Sequence, residues 1–260
     1  MYKNIGYYYI VDDYKVGASE FTSLETDQII YEVIRVIGNK ILFKIDHMNR
    51  LRRSLELVGD SSEIVDRIED SLEILLDGHK GLDKNIKIDV YNGHYRCYFM
   101  ESFYPKRELY ETGVETTLYN YNRLNPEVKA LNMDYKATIE EVKSDKYFEV
   151  LLVNSEGFVL EGSKSNLLFI KDDVLISAPL GDILNGVTLR NVIRMAENLK
   201  IKVEFRRVHK NELKEVNACF ITGTSLGILP ISYIDEIKYN SKHDIIITLM
   251  KAFKGGVNEA

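Results

Sequence analysis

With 260 residues, 45% hydrophobic and 28% charged, the chain can bury a sizeable core in one large domain or two modest ones. A net charge of −6, with no run of basic residues interleaved with aromatics, argues against a nucleic-acid ligand. Only two cysteines occur, Cys97 and Cys219, each inside an apolar strand-like run, so neither a disulfide framework nor a zinc spacing is suggested. The opening MYKNIGYYYIVDD has no basic stretch followed by a long apolar one. No window reaches the roughly 18 to 20 apolar residues of a membrane span, so a cytoplasmic address without a membrane partner is expected.

In chain order, Ile29 to Val36 and Ile41 to Ile45 read as a hairpin, with Asp46 as the N-cap of a helix from His47 to Val58. Ser61 to Leu76 has helical apolar spacing, and Ile86 to Tyr104 reads as a second hairpin turning at Asn92-Gly93. The polar segment Tyr104 to Gly113 carries a proline and a glycine and marks a boundary between a small N-terminal domain, residues 1–107, and a larger one, residues 108–260. The second unit opens with short strands at Tyr147–Asn154, Phe158–Leu160, Leu167–Ile170 and Val174–Ala178, whose short connections predict antiparallel neighbours. A helix from Val187 to Leu199, a strand near Val203–Val208, a strand at Ala218–Thr222, the turn GTSLG and a helix Asp244–Phe253 complete an α+β pattern.

Taken one at a time, the candidate site features are ambiguous. A helix entered through Asn185-Gly186 with Thr188 in its first turn offers amides and a hydroxyl to an anion, yet many helix starts bind only water. Gly223-Thr224-Ser225 is a second small-residue turn of the same kind. Arg50 beside Arg52 and Arg53 reads by default as solvated, and Lys129 as one surface lysine among 34 lysines and arginines.

Their joint order is more specific. The strings YEVIRV and LFKIDHMNRLRRSLEL, then NPEVKALN, EVLLVNSEGFVLEGSKSNLLFI, ILNGVTLRNVI and FITGTSLGILPI resemble the fold-type IV pyridoxal-phosphate enzymes, across residues 31 to 230. That family contains branched-chain and D-amino-acid aminotransferases and aminodeoxychorismate lyases. The resemblance implies a two-domain α+β fold, with a small antiparallel sheet plus helices and a larger pseudo-barrel domain carrying the cofactor lysine and the phosphate-binding turns. It implies that Lys129 holds pyridoxal 5'-phosphate as a Schiff base, in an extended segment where Val128 and Ala130 point away from it. It further implies that Glu161 pairs with the pyridine nitrogen and keeps it protonated.

By the same resemblance, Arg50, Val187, Thr188 and Thr224 bind the cofactor phosphate, Ser165 and Asn166 line the cofactor, and Tyr31, Thr224 and Ser225 meet the substrate. No metal is implied. The activity is amino transfer between an amino acid and a 2-oxo acid by a homodimer with active sites at the subunit interface. The lyase reaction releasing pyruvate and 4-aminobenzoate, and a non-catalytic ligand-binding homologue, are the alternatives. The chain also departs from its relatives. The Arg-x-His pair of D-amino-acid enzymes is absent from HYRCYFMESFYP, TDQII replaces a Gly-Asp-Gly, and Leu189 stands where an arginine is common. Asp134, with Tyr135 next to it, stands where branched-chain enzymes place a cofactor-contacting tyrosine, and Lys164 stands where relatives carry a small residue. Substrate identity and L or D preference stay open.

Overall fold

The computed structural model describes residues 3–24, 26, 29–123 and 125–259, so Asp27 and Gln28 of TDQII lie outside the described residues. The elements run β1 (Tyr8–Val11), β2 (Tyr14–Gly17), β3 (Ile29–Ile37), β4 (Lys40–Ile41), α1 (Lys44–Leu57), α2 (Ile64–Asp77), β5 (Asn85–Tyr91), β6 (His94–Met100), α3 (Leu109–Thr112) and β7 (Val114–Asn120). They continue with β8 (Ala130–Leu131), α4 (Met133–Lys143), β9 (Glu149–Val153), β10 (Phe158–Gly162), β11 (Asn166–Lys171), β12 (Val174–Ser177) and α5 (Val187–Asn198). The last are β13 (Val203–Phe205), β14 (Val208–His209), β15 (Ala218–Gly223), β16 (Gly227–Ile234), β17 (Ile237–Lys238) and α6 (Asp244–Glu259). No helix among the described residues is long and apolar enough to cross a membrane.

The chain divides into two compact units. The first is Met1–Phe103 with Val128–Met133, and the second is Tyr104–Glu127 with Asp134–Glu259. The sequence placed Lys129 in the C-terminal domain. Instead β8 pairs with β3 through Ile29↔Leu131 and Ile30↔Ala130, which ties the segment carrying Lys129 to the first unit. Main-chain pairing over so long a sequence separation leaves no local signal.

The first unit is an antiparallel sheet in the order β2-β1-β6-β5-β3-β4, with β8 also on β3. Strand period places Ile30, Glu32, Ile34 and Val36 on one face of β3, and this face packs on α1 and α2 through Leu51, Leu55, Ile68 and Leu72. Asn92 and Gly93, both at positive φ, make the β5–β6 turn where the sequence placed it. Helix α1 starts at Lys44, ahead of the anticipated His47, with Phe43 in the left-handed region as its N-cap. Asp46 therefore sits in the first turn, where its charge suits the helix dipole, rather than capping.

Glu32 points with the apolar residues into this packed layer and is fully buried. There its oxygens accept from Arg50 Nε and Nη2, both at 2.7 Å, and bond His47 Nδ1 at 2.9 Å. Arg50, which taken alone reads as a solvated basic residue, is on the inner stripe of α1 with His47, Leu51 and Ser54. Burial alone would push the Glu32 carboxyl up, but Arg50 and His47 outweigh it and hold it well below the usual carboxylate range. Burial also lowers the His47 pKa, against the raising influence of Glu32.

The second unit is a sheet that closes on itself. β11, β15, β16, β7, β9 and β10 follow one another, and β10 pairs again with β11, making a ring of strands. The consecutive strands β9 to β12 are antiparallel as anticipated, while β7 runs parallel to both β9 and β16. Alternation sorts the side chains: Leu167, Phe169, Cys219 and Ile221 fill one core, and Leu168, Ile170, Ala218 and Phe220 the other, under α5 and α6. Both cysteines are buried thiols. Strand β7 and helix α4 were not anticipated from the sequence, since VETTLYN and MDYKATIEEVK carry weak apolar patterns.

The Glu32 network is open to test by stability and by pH. Glu32→Ala leaves a buried guanidinium unpaired and should cost about 3 to 5 kcal/mol in urea unfolding. For pH, the depressed Glu32 contributes stability that is present above its unfolded pKa and lost in acid. His47, whose pKa burial lowers in the fold, reduces stability as pH falls through its unfolded pKa, because the unfolded chain then binds more protons. The unfolding midpoint should therefore drop between about pH 7 and 5. His47→Gln should flatten that part of the profile, and an unchanged profile would assign it to other groups.

Candidate active site

In the first unit, Lys129 is fixed by its own main chain: its carbonyl accepts from Tyr31 N at 3.0 Å, and β8 continues directly after it. Val128 turns into the core, and the Lys129 amine lies 4.8 Å from the centre of the Tyr31 ring. Lys87 approaches the same ring at 5.1 Å. The Tyr31 face of the sheet carries a buried polar network that the sequence did not single out. Asp89, opposite Tyr31 in register, pairs with Lys87, accepts from Arg96 Nε at 2.9 Å and accepts from Tyr98 Oη at 3.2 Å. Arg96 also donates to Thr22 O at 2.7 Å. The Lys129 charge reaches His47 as well, so Tyr31, Lys129 and the Glu32–His47–Arg50 group share one electrostatic neighbourhood.

In the second unit, Glu161 is the next-to-last residue of β10, just after a register shift against β9 between Val159 and Glu161. Such a bulge re-aims the side chains next to it. Glu161 is 3% exposed. Its Oε1 accepts from Arg123 Nη1 at 2.7 Å, and its Oε2 accepts from Leu184 N at 3.1 Å and Asn166 Nδ2 at 3.4 Å. Arg123 is a site residue that sequence reasoning missed. It lies in an irregular segment without periodicity, so its proximity to Glu161 comes only from the fold. Tyr135, on α4, donates to Ser163 O at 3.1 Å. Burial pushes its phenol well up, Arg123 opposes this, and Glu149 and Glu161 add to it.

The strings EGSKSN, LNGVT and GTSLG, far apart in sequence, are neighbours here. Asn166 pairs in register with Glu161 on one side and Thr222 on the other. Its side chain donates to Leu184 O at 2.7 Å and leaves no space for a Cβ on Gly186, the N-cap of α5. The first backbone bond of that helix is Arg190 N to Gly186 O, so the amides of Val187 and Thr188 open at its N-terminal end. Thr188 is buried there, and Leu189 is wholly inside the core beneath α6, a place that excludes the arginine common in relatives. Thr224 and Ser225 lie on the turn from β15 to β16, closed by Leu226 N to Gly223 O at 3.0 Å. Thr222 Oγ1, buried at the start of this turn, has no hydrogen-bond partner. Ser165 is committed elsewhere: its hydroxyl donates to Glu149 at 3.0 Å. Among the described residues no group of His, Cys, Asp and Glu could hold a metal ion.

The Lys129 amine and the Arg50 guanidinium belong to the first unit, and the buried Glu161 carboxylate and the helix-start amides of α5 to the second. A Thermotoga maritima protein named "probable branched-chain-amino-acid aminotransferase" is 29% identical over 237 residues, covering 86% of this chain and 85% of that one. The D-alanine aminotransferase of Bacillus licheniformis is 28% identical over 233 residues, covering 79% of this chain and 78% of that one. The structure of a hypothetical aminotransferase from Mycobacterium tuberculosis, in its PLP-bound form, shares the fold, with a TM-score of 0.81, 15% identity and coverage of 97% of this chain and 100% of that one. Residues 29–234 match the family description amino-transferase class IV, and the chain belongs to that family of pyridoxal-phosphate aminotransferases.

Proposed function

We propose that this class IV aminotransferase holds pyridoxal 5'-phosphate as a Schiff base through Lys129 and moves an amino group between an amino acid and a 2-oxo acid. The observation that carries the reading is the placement of Lys129, pinned by backbone pairing to β3 with its amine over Tyr31, within the matched family span. When bound, the cofactor supplies an electron-accepting ring. Lys129 would take the proton from the α-carbon of the amino donor, deliver it to the cofactor, and in the second half-reaction return a proton to the α-carbon of the amino acid formed. Glu161, paired with Arg123, holds the proton on the ring nitrogen. Arg50 uses two of its five N–H donors on Glu32 and offers the others to phosphate, together with the Val187 and Thr188 amides and Thr224. Thr224 and Ser225 receive the substrate carboxylate, and Tyr31 packs beside the substrate. Ser165 and Asn166 shape the cofactor's surroundings. The working form is a cytoplasmic homodimer with active sites at the subunit interface, a reading supported by the family resemblance.

The test is an absorption spectrum of the purified protein with pyridoxal phosphate, before and after borohydride, repeated on Lys129→Ala. Wild type should gain a visible band that borohydride fixes covalently, and Lys129→Ala should keep no adduct. A colourless wild type would end the proposal. Amino acids of both hands offered with 2-oxoglutarate should yield glutamate, and pyruvate release from aminodeoxychorismate instead would reassign the reaction as a lyase. Glu161→Gln should lower kcat by about a hundredfold or more, the loss anticipated when a transition-state charge partner is removed. Arg50→Lys should weaken cofactor binding by about tenfold, since an ammonium cannot replace the fork shared between Glu32 and phosphate.

A further inference from the structure

A second buried carboxylate of the barrel has no part in the roles above. Glu149, the first residue of β9, is 5% exposed and lies beneath the loop that joins β10 to β11. Its Oε1 accepts from Ser163 Oγ at 2.5 Å and from Val150 N at 2.9 Å. Its Oε2 accepts from Ser165 Oγ at 3.0 Å and from Lys164 N at 3.4 Å. The loop thus hangs from one carboxylate by two hydroxyls and one amide, and two further main-chain bonds, Gly162 N to Ser165 O and Ser163 N to Val150 O, both at 2.8 Å, hold its shape. A Cβ on Gly162 would overlap Ser165 Oγ and press on Glu149 Cγ and Cδ, so the glycine is required for the serine to reach the acid.

The donor set is selective for a carboxylate. Hydroxyls can reverse their roles, but the N–H groups of Val150 and Lys164 cannot, and each addresses a different oxygen of Glu149. A glutamine, whichever way it is turned, would aim its amide hydrogens at one of those N–H groups. An aspartate would be a methylene short of the loop.

The loop's two ends are Glu161 and Asn166, the register pair that closes the barrel, and Asn166 also touches the Glu161 carboxylate. We propose that Glu149 is a positioning residue for the reaction: by gathering Ser163, Lys164 and Ser165 it fixes the hairpin end that aims the Glu161 carboxylate. This deepens the reading of Glu161 as the ring-nitrogen partner and rests on it. It also gives the serines of EGSKSN a task beneath the site rather than on the cofactor, and leaves Lys164 pointing outward between two anchored residues, where its side chain is exposed.

The test is a double-variant cycle on the full-length protein. Apo forms of wild type, Glu149→Gln, Glu161→Gln and the double variant are titrated with pyridoxal phosphate, reading cofactor affinity and the position of the visible band, and kcat is measured on each. Far-UV circular dichroism of the apo forms checks the fold. Glu149→Gln should bind the cofactor about tenfold more weakly, the size of one lost charge-assisted hydrogen bond, and move the band towards that of Glu161→Gln. Because the acid acts through Glu161, the double variant should be no worse than Glu161→Gln alone by more than about threefold. A wild-type affinity and band in Glu149→Gln would overturn the proposal, as would losses that multiply in the double variant. If Glu149→Gln does not fold, Ser163→Ala/Ser165→Ala, which keeps the acid and its backbone donors, replaces it in the same cycle with the same two readings. A wild type that binds no cofactor would overturn the functional reading itself, and that is seen before any variant is measured.

Discussion

The ring of strands in the second unit is completed where Glu161 meets Asn166 across the mouth of a tight loop. That pairing sets the register of the strands on either side, so the side chains of β10 and β11 face the core or the site according to where it falls. It also carries Asn166 to the entry of α5 and Thr222 to the start of the GTSLG turn. A carboxylate, a helix N-terminus and the GTSLG turn are consequently assembled by backbone geometry.

Buried carboxylates recur as organising points, each with partners that offset its desolvation. Glu32 takes both prongs of Arg50, Asp89 lies among Lys87, Arg96 and Tyr98, Glu161 takes Arg123, and Glu149 takes hydroxyls and amides. Such pairs seldom add much net stability, because removing the ions from water costs about as much as their attraction returns. Their value here lies in direction. A guanidinium locked to Glu32 cannot swing into solvent, and a Glu161 held by Arg123, Asn166 and the Leu184 amide keeps one orientation.

Lys129 illustrates a different economy. A lysine side chain is flexible, with several rotatable bonds, yet its main chain here is stitched to β3 and its amine lies near the Tyr31 ring, which Lys87 also approaches. The chain fixes the root of the side chain and the surroundings of its amine.

Much of this was legible in the residues themselves. Strand and helix periods located the hairpin at Asn92-Gly93, the meander from β9 to β12 and helix α5, because those signals arise between near neighbours in sequence. The order of the motifs identified the family and singled out Lys129, Glu161 and Arg50. Only the tertiary structure could supply the partners: Glu32 for Arg50, Arg123 for Glu161, Glu149 for the serines of EGSKSN, and β3 for the segment of Lys129. Each of those links joins residues whose local sequence is indifferent to the contact. Burial and strand register create them, and both are properties of the assembled sheet rather than of any stretch of chain.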